Sequence, residues 1–327
     1  MMNGKGLQHI IAATSSGPLP PMLIEYAAST HPGKVRKNNE DAYLLSALDG
    51  EEPIINAPAL ALQLGEPGLL VAVADGMGGA AAGEVASREG LAAVALFLFT
   101  HWACQQDGQG EESDLLRALE QAVVQASDAV LRYSDDDRTA RGMGSTLTAA
   151  VLWQGVVYVA QIGDSRAYLL RQGELHQLTE DQTLVNDLVA QGSLTREQAR
   201  IHPHRNMITQ ALGSPQPLRV VLSRLALCRG DRLLCCSDGL HGELTDDRIL
   251  ELLGRELTPT AILEQLVQEA IDHGGRDNIT GIVLLLDDPA LPLPQVGADL
   301  RLARSAEPEQ SRGFWRGIRS FFGGGAS

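Results

Sequence analysis

The stretch VAVADGMGGAAAGEVAS, residues 71–87, decides how the rest of the chain is read. It continues an apolar run from Leu69 to Ala74, long enough for a strand buried on both faces. The run stops at one carboxylate, Asp75. Four of the next eight residues are glycine: Gly76, Gly78, Gly79 and Gly83. Glu84 then leads into an apolar segment that predicts a helix over about 83–101. The order is strand, carboxylate, glycine turn, helix. Taking a carboxylate out of water is costly unless something offsets its charge, and glycine lets a neighbour approach the backbone closely. Three readings fit this stretch by itself: a phosphate cradle on a helix N-terminus, an aspartate and a bare carbonyl aimed at a hard cation, or a structural turn capped by an Asp.

Working outward, 327 residues with 44% apolar content can bury a sizeable core in one large or two ordinary domains. A formal net charge of −15 argues against a nucleic-acid partner, because a phosphate backbone demands a positive face. The four cysteines are Cys104, Cys228, Cys235 and Cys236, with no C-x-x-C spacing. Cys235 and Cys236 sit inside an apolar run and predict buried free thiols, which fits a reducing cytoplasm. No charged segment followed by a clean apolar one marks a secretory signal near the N-terminus. The longest apolar run, Leu91 to Thr100, is too short to cross a bilayer. A cytoplasmic location is therefore expected.

Residues 1–22 lack periodicity and read as a leader. Residues 23–48 hold two strand-like pieces around HPGKVRKNNED, 31–41, a stretch whose plain reading is a charged surface turn. Residues 49–68 read as a loop. A polar linker over 105–113 precedes a second amphipathic helix from about Ser113 to Tyr133, ended by Asp135 to Asp137. Strands then follow at Gly144 to Trp153, Val156 to Ile162 and Ala167 to Leu170, with turns at Gln154-Gly155 and Gln172-Gly173. Such short connections mean antiparallel pairing rather than βαβ units. Residues 179–213 are a polar excursion with short helical pieces near 183–191 and 195–200, and long excursions from compact domains are often functional. Strands resume at 218–226 and 232–237, helices follow at 245–254 and 258–273, and a last strand spans 279–286. Pro289, Pro292 and Pro294 close the domain.

One event recurs along this chain: an apolar strand meets an Asp flanked by Gly. Asp75, Asp164 and Asp238 follow strands, Asp277 precedes one, and Glu40 and Asp41 stand beside another. A single such Asp is ordinary turn chemistry. Several, gathered at the ends of shared sheets, would repel one another and raise each other's pKa unless cations neutralised them. An all-oxygen set suits Mg2+ or Mn2+ rather than zinc.

The residues that carry this pattern resemble the metal-dependent Ser/Thr protein phosphatases of the type 2C (PPM) family, in their compact bacterial form. The matching motifs are VRKNNEDAY (35–43), VADGMGG (73–79), GST (144–146), GDSRAY (163–168), CSDGL (236–240) and GRDNIT (275–280). They stand in the family's order and cover about residues 23–288. The resemblance implies an α+β fold, a four-layer α/β/β/α sandwich of two antiparallel β-sheets flanked by helix pairs. It also implies domain limits: a leader over 1–22, a phosphatase domain over 23–288 with a mobile flap at about 179–213, and a linker and tail over 289–327.

The implied activity is hydrolysis of phospho-Ser and phospho-Thr on proteins by a dimetal-activated water, countering a Ser/Thr kinase in signalling. The implied cofactors are two Mn2+ or Mg2+ ions, with a third, weaker one in bacterial members. Asp75 is similar to the carboxylate that bridges the two ions. Glu40 and the Gly76 carbonyl resemble ligands of the second, Asp238 and Asp277 ligands of the first. Asp41 is similar to the residue that holds metal-bound waters, Arg36 to the arginine that grips the phosphate, and Asp164 to the residue that joins Asp238 at the third ion. Met77 departs from eukaryotic relatives, which carry a His there as general acid; bacterial members commonly have Met. His31, His202, His204 and His241 read as structural or surface residues, and a metal-bound water is the simpler proton donor.

Implied partners are phosphorylated proteins and a cognate kinase, with a monomeric chain and no nucleic acid. A catalytically weak module of the same fold that binds phosphoproteins or a kinase is the alternative, and a hydrolase of small phosphoesters would share the site. In the tail, SRGFWRGIRSFF, 311–322, places Phe314, Trp315, Ile318, Phe321 and Phe322 on one helical face with Arg312, Arg316 and Arg319 on the other side. It reads as a docked helix or disordered tail, or as a weak contact for a membrane surface or a protein groove.

Overall fold

The apolar runs are continuous because their strands are buried on both faces. In the computed structural model, which describes residues 22–48, 55–56, 62–64, 68–78, 82–105, 112–295 and 302–304, alternate side chains of each central strand enter different cores. Leu69, Val71 and Val73 point between two sheets, whereas Leu70, Ala72 and Ala74 point at helices. Leu233 and Cys235 likewise face the space between the sheets, and Leu234 and Cys236 face the opposite helical layer.

Both sheets are antiparallel. One has seven strands in the order β13 (Ala303–Arg304), β10 (Val221–Ala226), β7 (Val156–Ile162), β6 (Leu147–Trp153), β4 (Leu69–Met77) and β2 (Asp41–Ala47), with β5 (Gly144–Ser145) paired to the end of β4. The other has six, in the order β3 (Leu62–Leu64), β1 (Met22–His31), β12 (Ile279–Leu286), β11 (Asp231–Cys236), β8 (Arg166–Arg171) and β9 (Glu174–Gln177). Helices α1 (Ala82–His101) and α2 (Glu112–Asp136) cover the seven-stranded sheet through Leu91, Val94, Leu98, Leu115, Leu119 and Val123. The short α5 (Asp238–His241) with α6 (Asp246–Leu253) and α7 (Pro259–His273) covers the six-stranded one. The result is the expected four-layer α/β/β/α sandwich, with three stacked cores. The hairpin turns fall where expected. Gln154-Gly155 (φ 47° and 71°) and Gln172-Gly173 (φ 51° and 80°) carry positive φ at both central residues, the twist that a two-residue hairpin needs.

Two differences from the sequence reading matter for function. The first concerns Asp75 and Gly76, expected to leave the strand in a glycine turn; they remain inside β4. Asp75 pairs with Asp41 of β2 and Gly76 with Ser145 of β5, so neighbouring strands supply backbone partners that local sequence does not reveal. The second is that packing continues past residue 288. Leu291 is buried between the sheets, Arg229 N donates to Pro292 O at 2.8 Å, and β13 borders β10.

The excursion over 179–213 contains α3 (Leu184–Ala190) and α4 (Arg196–Arg200), each opened by a threonine cap, Thr183 and Thr195. Residues 311–322 lie outside the described residues, as does most of the leader. Among the described residues, no helix is long and apolar enough to cross a membrane.

Candidate active site

All the singled-out carboxylates come from strand ends at one end of the sandwich. Asp41 starts β2 opposite Asp75 on β4. Asp164 follows β7, Asp238 follows β11 as the first residue of α5, and Asp277 precedes β12. Glu40 and Arg36 stand on the loop between β1 and β2. The structure brings these residues into one electrostatic cluster. Burial pushes the Asp75 carboxyl well above the ordinary carboxylate range, and the charges of Asp41, Asp238, Asp164 and Asp277 push it further. Burial raises Asp41 to about 7, opposed by its hydroxyl partners and reinforced by Asp238 and Asp277. Burial, then Asp277, raises Asp238 to about 6. Asp164 is pushed up by burial and by Asp238. Glu40 is raised by burial, with Arg36 pulling the other way.

Each acid is held from behind. The GST motif fixes the backbone of Asp75: Asp75 N donates to Thr146 Oγ1 at 2.9 Å, and Thr146 N and Ser145 Oγ donate to the Asp75 carbonyl at 2.9 and 3.0 Å. Asp41 Oδ2 accepts from Ser237 Oγ at 2.7 Å and Thr280 Oγ1 at 2.6 Å. Gly76 and Gly83 let three segments close on one another. A Cβ on Gly76 would lie 2.0 Å from the Gly83 carbonyl, and one on Gly83 would lie 2.6 Å from the Glu40 carboxyl carbon. Glu40 thereby reaches the first turn of α1 and accepts from Gly83 N, a favourable place for a negative charge.

Behind Asp164, His241 Nε2 donates to the Asp164 carbonyl at 3.0 Å. Burial lowers its pKa to about 3, so the ring is neutral and structural. Arg166, from the same motif as Asp164, is turned away from solvent into a bidentate pair with Asp181, at 2.8 and 2.5 Å. The next residue, Gln182, ties the base of the excursion to the strand end. Its Oε1 accepts from Gly163 N at 2.8 Å, its Nε2 donates to Arg219 O at 2.6 Å, and its carbonyl accepts from Thr209 N at 2.7 Å. The excursion returns at Leu212, which exchanges backbone hydrogen bonds with Ser145 beside Met77. Ser237, Thr280, Gln182 and Asn278 were missed as site-supporting residues in the sequence reading. Ser237, Asn278 and Thr280 carry one visible signal, their place inside the CSDGL and GRDNIT motifs, and Gln182 carries none.

The acids suit divalent cations by chemistry. Every singled-out side-chain donor is an oxygen, the ligand type of Mg2+ and Mn2+. Asp41 Oδ1 and Asp238 Oδ1 are buried without a hydrogen-bond partner, a costly state for a carboxylate that a proton or a cation relieves. Among the described residues, no three His, Cys, Asp or Glu side chains already converge as a finished coordination shell. They are gathered rather than closed: Asp238 and Asp75 are within hydrogen-bonding reach of each other, and Arg36 Nη2 occupies Asp277 Oδ2 at 2.7 Å.

Comparison with known proteins shows the family. The chain belongs to the protein phosphatase 2C family, whose model matches residues 58–271. It is 38% identical over 263 residues to the serine/threonine protein phosphatase PstP of Mycobacterium tuberculosis, across 80% of this chain and 45% of that protein. It therefore spans less than half the length of that relative. It is 33% identical over 276 residues to the serine/threonine phosphatase stp of Listeria monocytogenes, across 83% of this chain and 97% of that protein. Its fold matches a solved catalytic domain of PstP in complex with two manganese ions, with a TM-score of 0.65 and 36% identity over 82% of this chain and 100% of that one.

Proposed function

We propose that this chain is a metal-dependent phosphatase that removes phosphate from serine and threonine side chains of proteins. One observation carries the reading: five aspartates from five separate segments meet at one end of the sandwich, where burial and mutual charge raise the pKa values of Asp41, Asp75, Asp164 and Asp238 and two buried oxygens lack partners. Such a cluster is expensive without cations and well suited to holding them. Glu40, Asp75, the Gly76 carbonyl, Asp238 and Asp277 would hold two Mn2+ or Mg2+ ions, with Asp75 shared between them. Asp164 with Asp238 would hold a weaker third. When bound, such a pair supplies an activated water and neutralises charge on the reacting phosphate.

The protein's own groups do the rest. Arg36 is half exposed at the rim, and its Nε and Nη1 have no hydrogen-bond acceptor among the described residues, so they face a phosphate without losing a partner. Ser237 and Thr280 hold one oxygen of Asp41 and leave the other for water at the site. The thiols flanking the motif take no part. Cys235 and Cys236 are buried, and burial pushes Cys235 to about 12, so neither supplies a thiolate. The complete acid set favours hydrolysis over a binding module that has lost catalysis. The names of the similar proteins support phosphoprotein substrates, and the same reading extends to a cognate Ser/Thr kinase, a monomeric chain and a cytoplasmic setting. The free cysteines agree with that setting.

Phosphate release from phospho-Ser, phospho-Thr and phospho-Tyr peptides tests this. Release from the first two is expected with Mn2+ or Mg2+, unchanged by thiol alkylation and abolished by EDTA; robust turnover in excess EDTA would refute it. Arg36→Lys replaces a planar fork by a point charge. It is expected to raise KM for a phosphopeptide by roughly tenfold with a smaller effect on kcat. An unchanged KM and kcat/KM would remove Arg36 from phosphate binding.

A further inference from the structure

Position 278 is where three segments of the site meet. Asn278 lies between Asp277 and β12 and is 4% exposed. Its side chain spends all its hydrogen bonds on the loop between β1 and β2. Oδ1 accepts from Glu40 N at 2.8 Å, and Nδ2 donates to Asn38 O at 2.9 Å and to Pro32 O at 3.1 Å. Its backbone faces α5: Ser237 Oγ lies 3.5 Å from the Asn278 carbonyl, and a Cβ on Gly239 would lie 1.9 Å from it. An amide is the one side chain of this size that accepts from one backbone N–H while donating to two carbonyls. An aspartate here would set an anion against both carbonyls, and an aliphatic residue would leave backbone groups unpaired.

The middle of the loop that Asn278 grips lies at the surface. Lys34, Val35, Arg36, Lys37 and Asn38 are all exposed. Beyond the Asn278 amide, the loop is joined to its surroundings by Lys34 N on Gly275 O at 2.7 Å, Gly76 N on Glu40 O at 3.1 Å, Gly83 N on the Glu40 carboxylate, Asn39 Nδ2 on Thr30 Oγ1 at 2.8 Å, the Arg36–Asp277 pair and an exposed Lys34–Asp272 pair at 3.8 Å. Yet it carries both Arg36 and Glu40. We propose that Asn278 is a positioning residue: its amide locks the 32–40 loop to the strand that carries Asp277, and so sets where Arg36 and Glu40 stand relative to the aspartate cluster. The proposal rests on the phosphatase reading for its catalytic consequence, and on the hydrogen bonds alone for its structural one.

Asn278→Leu tests it in the full chain, because leucine has nearly the same shape and none of the hydrogen bonds; Asn278→Ser serves the same comparison if the leucine variant does not fold. Amide hydrogen exchange over 32–40 is expected to quicken by about tenfold or more while the sheet cores keep their protection. Phosphopeptide KM is expected to rise roughly 10–100-fold, the scale of a misplaced binding group. That KM effect should shrink when Arg36 is already alanine, since coupled residues are not additive. Unchanged exchange in the loop, or a KM effect of the same size in the Arg36→Ala background, overturns the proposal, as does a general loosening of all segments with KM unchanged. Should the wild-type chain release no phosphate at all, the phosphatase reading fails, and the exchange measurement alone decides whether Asn278 locks the loop.

Discussion

Replacing Asp75 with Asn lowers phosphopeptide hydrolysis by about a thousandfold or more and, in the same protein, raises the melting temperature of the metal-free chain. The two effects have one cause. Asp75 is the acid that feels all the others: after burial, Asp41, Asp238, Asp164 and Asp277 each push its proton affinity up. It is therefore the acid proposed as the shared ligand, and losing it would remove several kcal/mol of charge stabilisation in the reaction, which at about 1.4 kcal/mol per tenfold gives the expected loss. Without cations the same carboxylate is a burden. The amide keeps its shape and leaves the Thr146 and Ser145 contacts intact, because those go to the Asp75 backbone. Each kcal/mol of relieved repulsion should raise the melting temperature by about 2–4 °C. Kinetics with and without Mn2+, alongside thermal melts in EDTA, check both halves. Near-normal kcat, or a fall in metal-free stability, would contradict the assignment.

The metal-free protein should be most stable in mild acid, and divalent cations should reverse that trend. Asp41 at about 7 and Asp238 at about 6 lie far above the ordinary carboxylate value of 3.8. Between those limits the folded state holds protons that the unfolded state has released. Stability therefore falls as pH rises from about 4 to about 7, by up to about 1.4 kcal/mol per pH unit for each acid that keeps its proton. A bound cation requires the ionised form, so with Mn2+ the folded-state pKa values drop and stability rises with pH over the same window. Melting temperatures from pH 4 to pH 8, in EDTA and in Mn2+, should give profiles of opposite slope. Parallel profiles would mean that the cation does not bind beside these acids.

Much of this was legible from local sequence. The unbroken apolar runs of β4, β11 and β12 announce strands buried on both faces, and the Gln-Gly pairs announce hairpins. The repeated Asp beside Gly at the ends of the expected strands pointed to one acidic site. What local sequence did not reveal is what distant segments do to each other. Asp75 and Gly76 read as a turn because glycine favours one, but β2 and β5 bring backbone partners that keep the strand going. Ser237 and Thr280 are ordinary polar residues in sequence; the pairing of β11 with β12 sets them side by side, and the packing of the two sheets brings their hydroxyls onto Asp41. Arg166 offers no hint that its charge is spent on Asp181. The short edge strands β3, β9 and β13 span two to four residues, too few for any periodicity to show.

Calorimetric titration of Mn2+ into the metal-free full-length chain near neutral pH tests the two-cation site most directly. Two binding events per chain are expected, accompanied by proton release because Asp41, raised to about 7, is partly protonated in the metal-free state. Asp75→Asn is expected to abolish the paired binding. No Mn2+ binding by the wild-type chain, or wild-type stoichiometry and affinity in Asp75→Asn, would contradict the account.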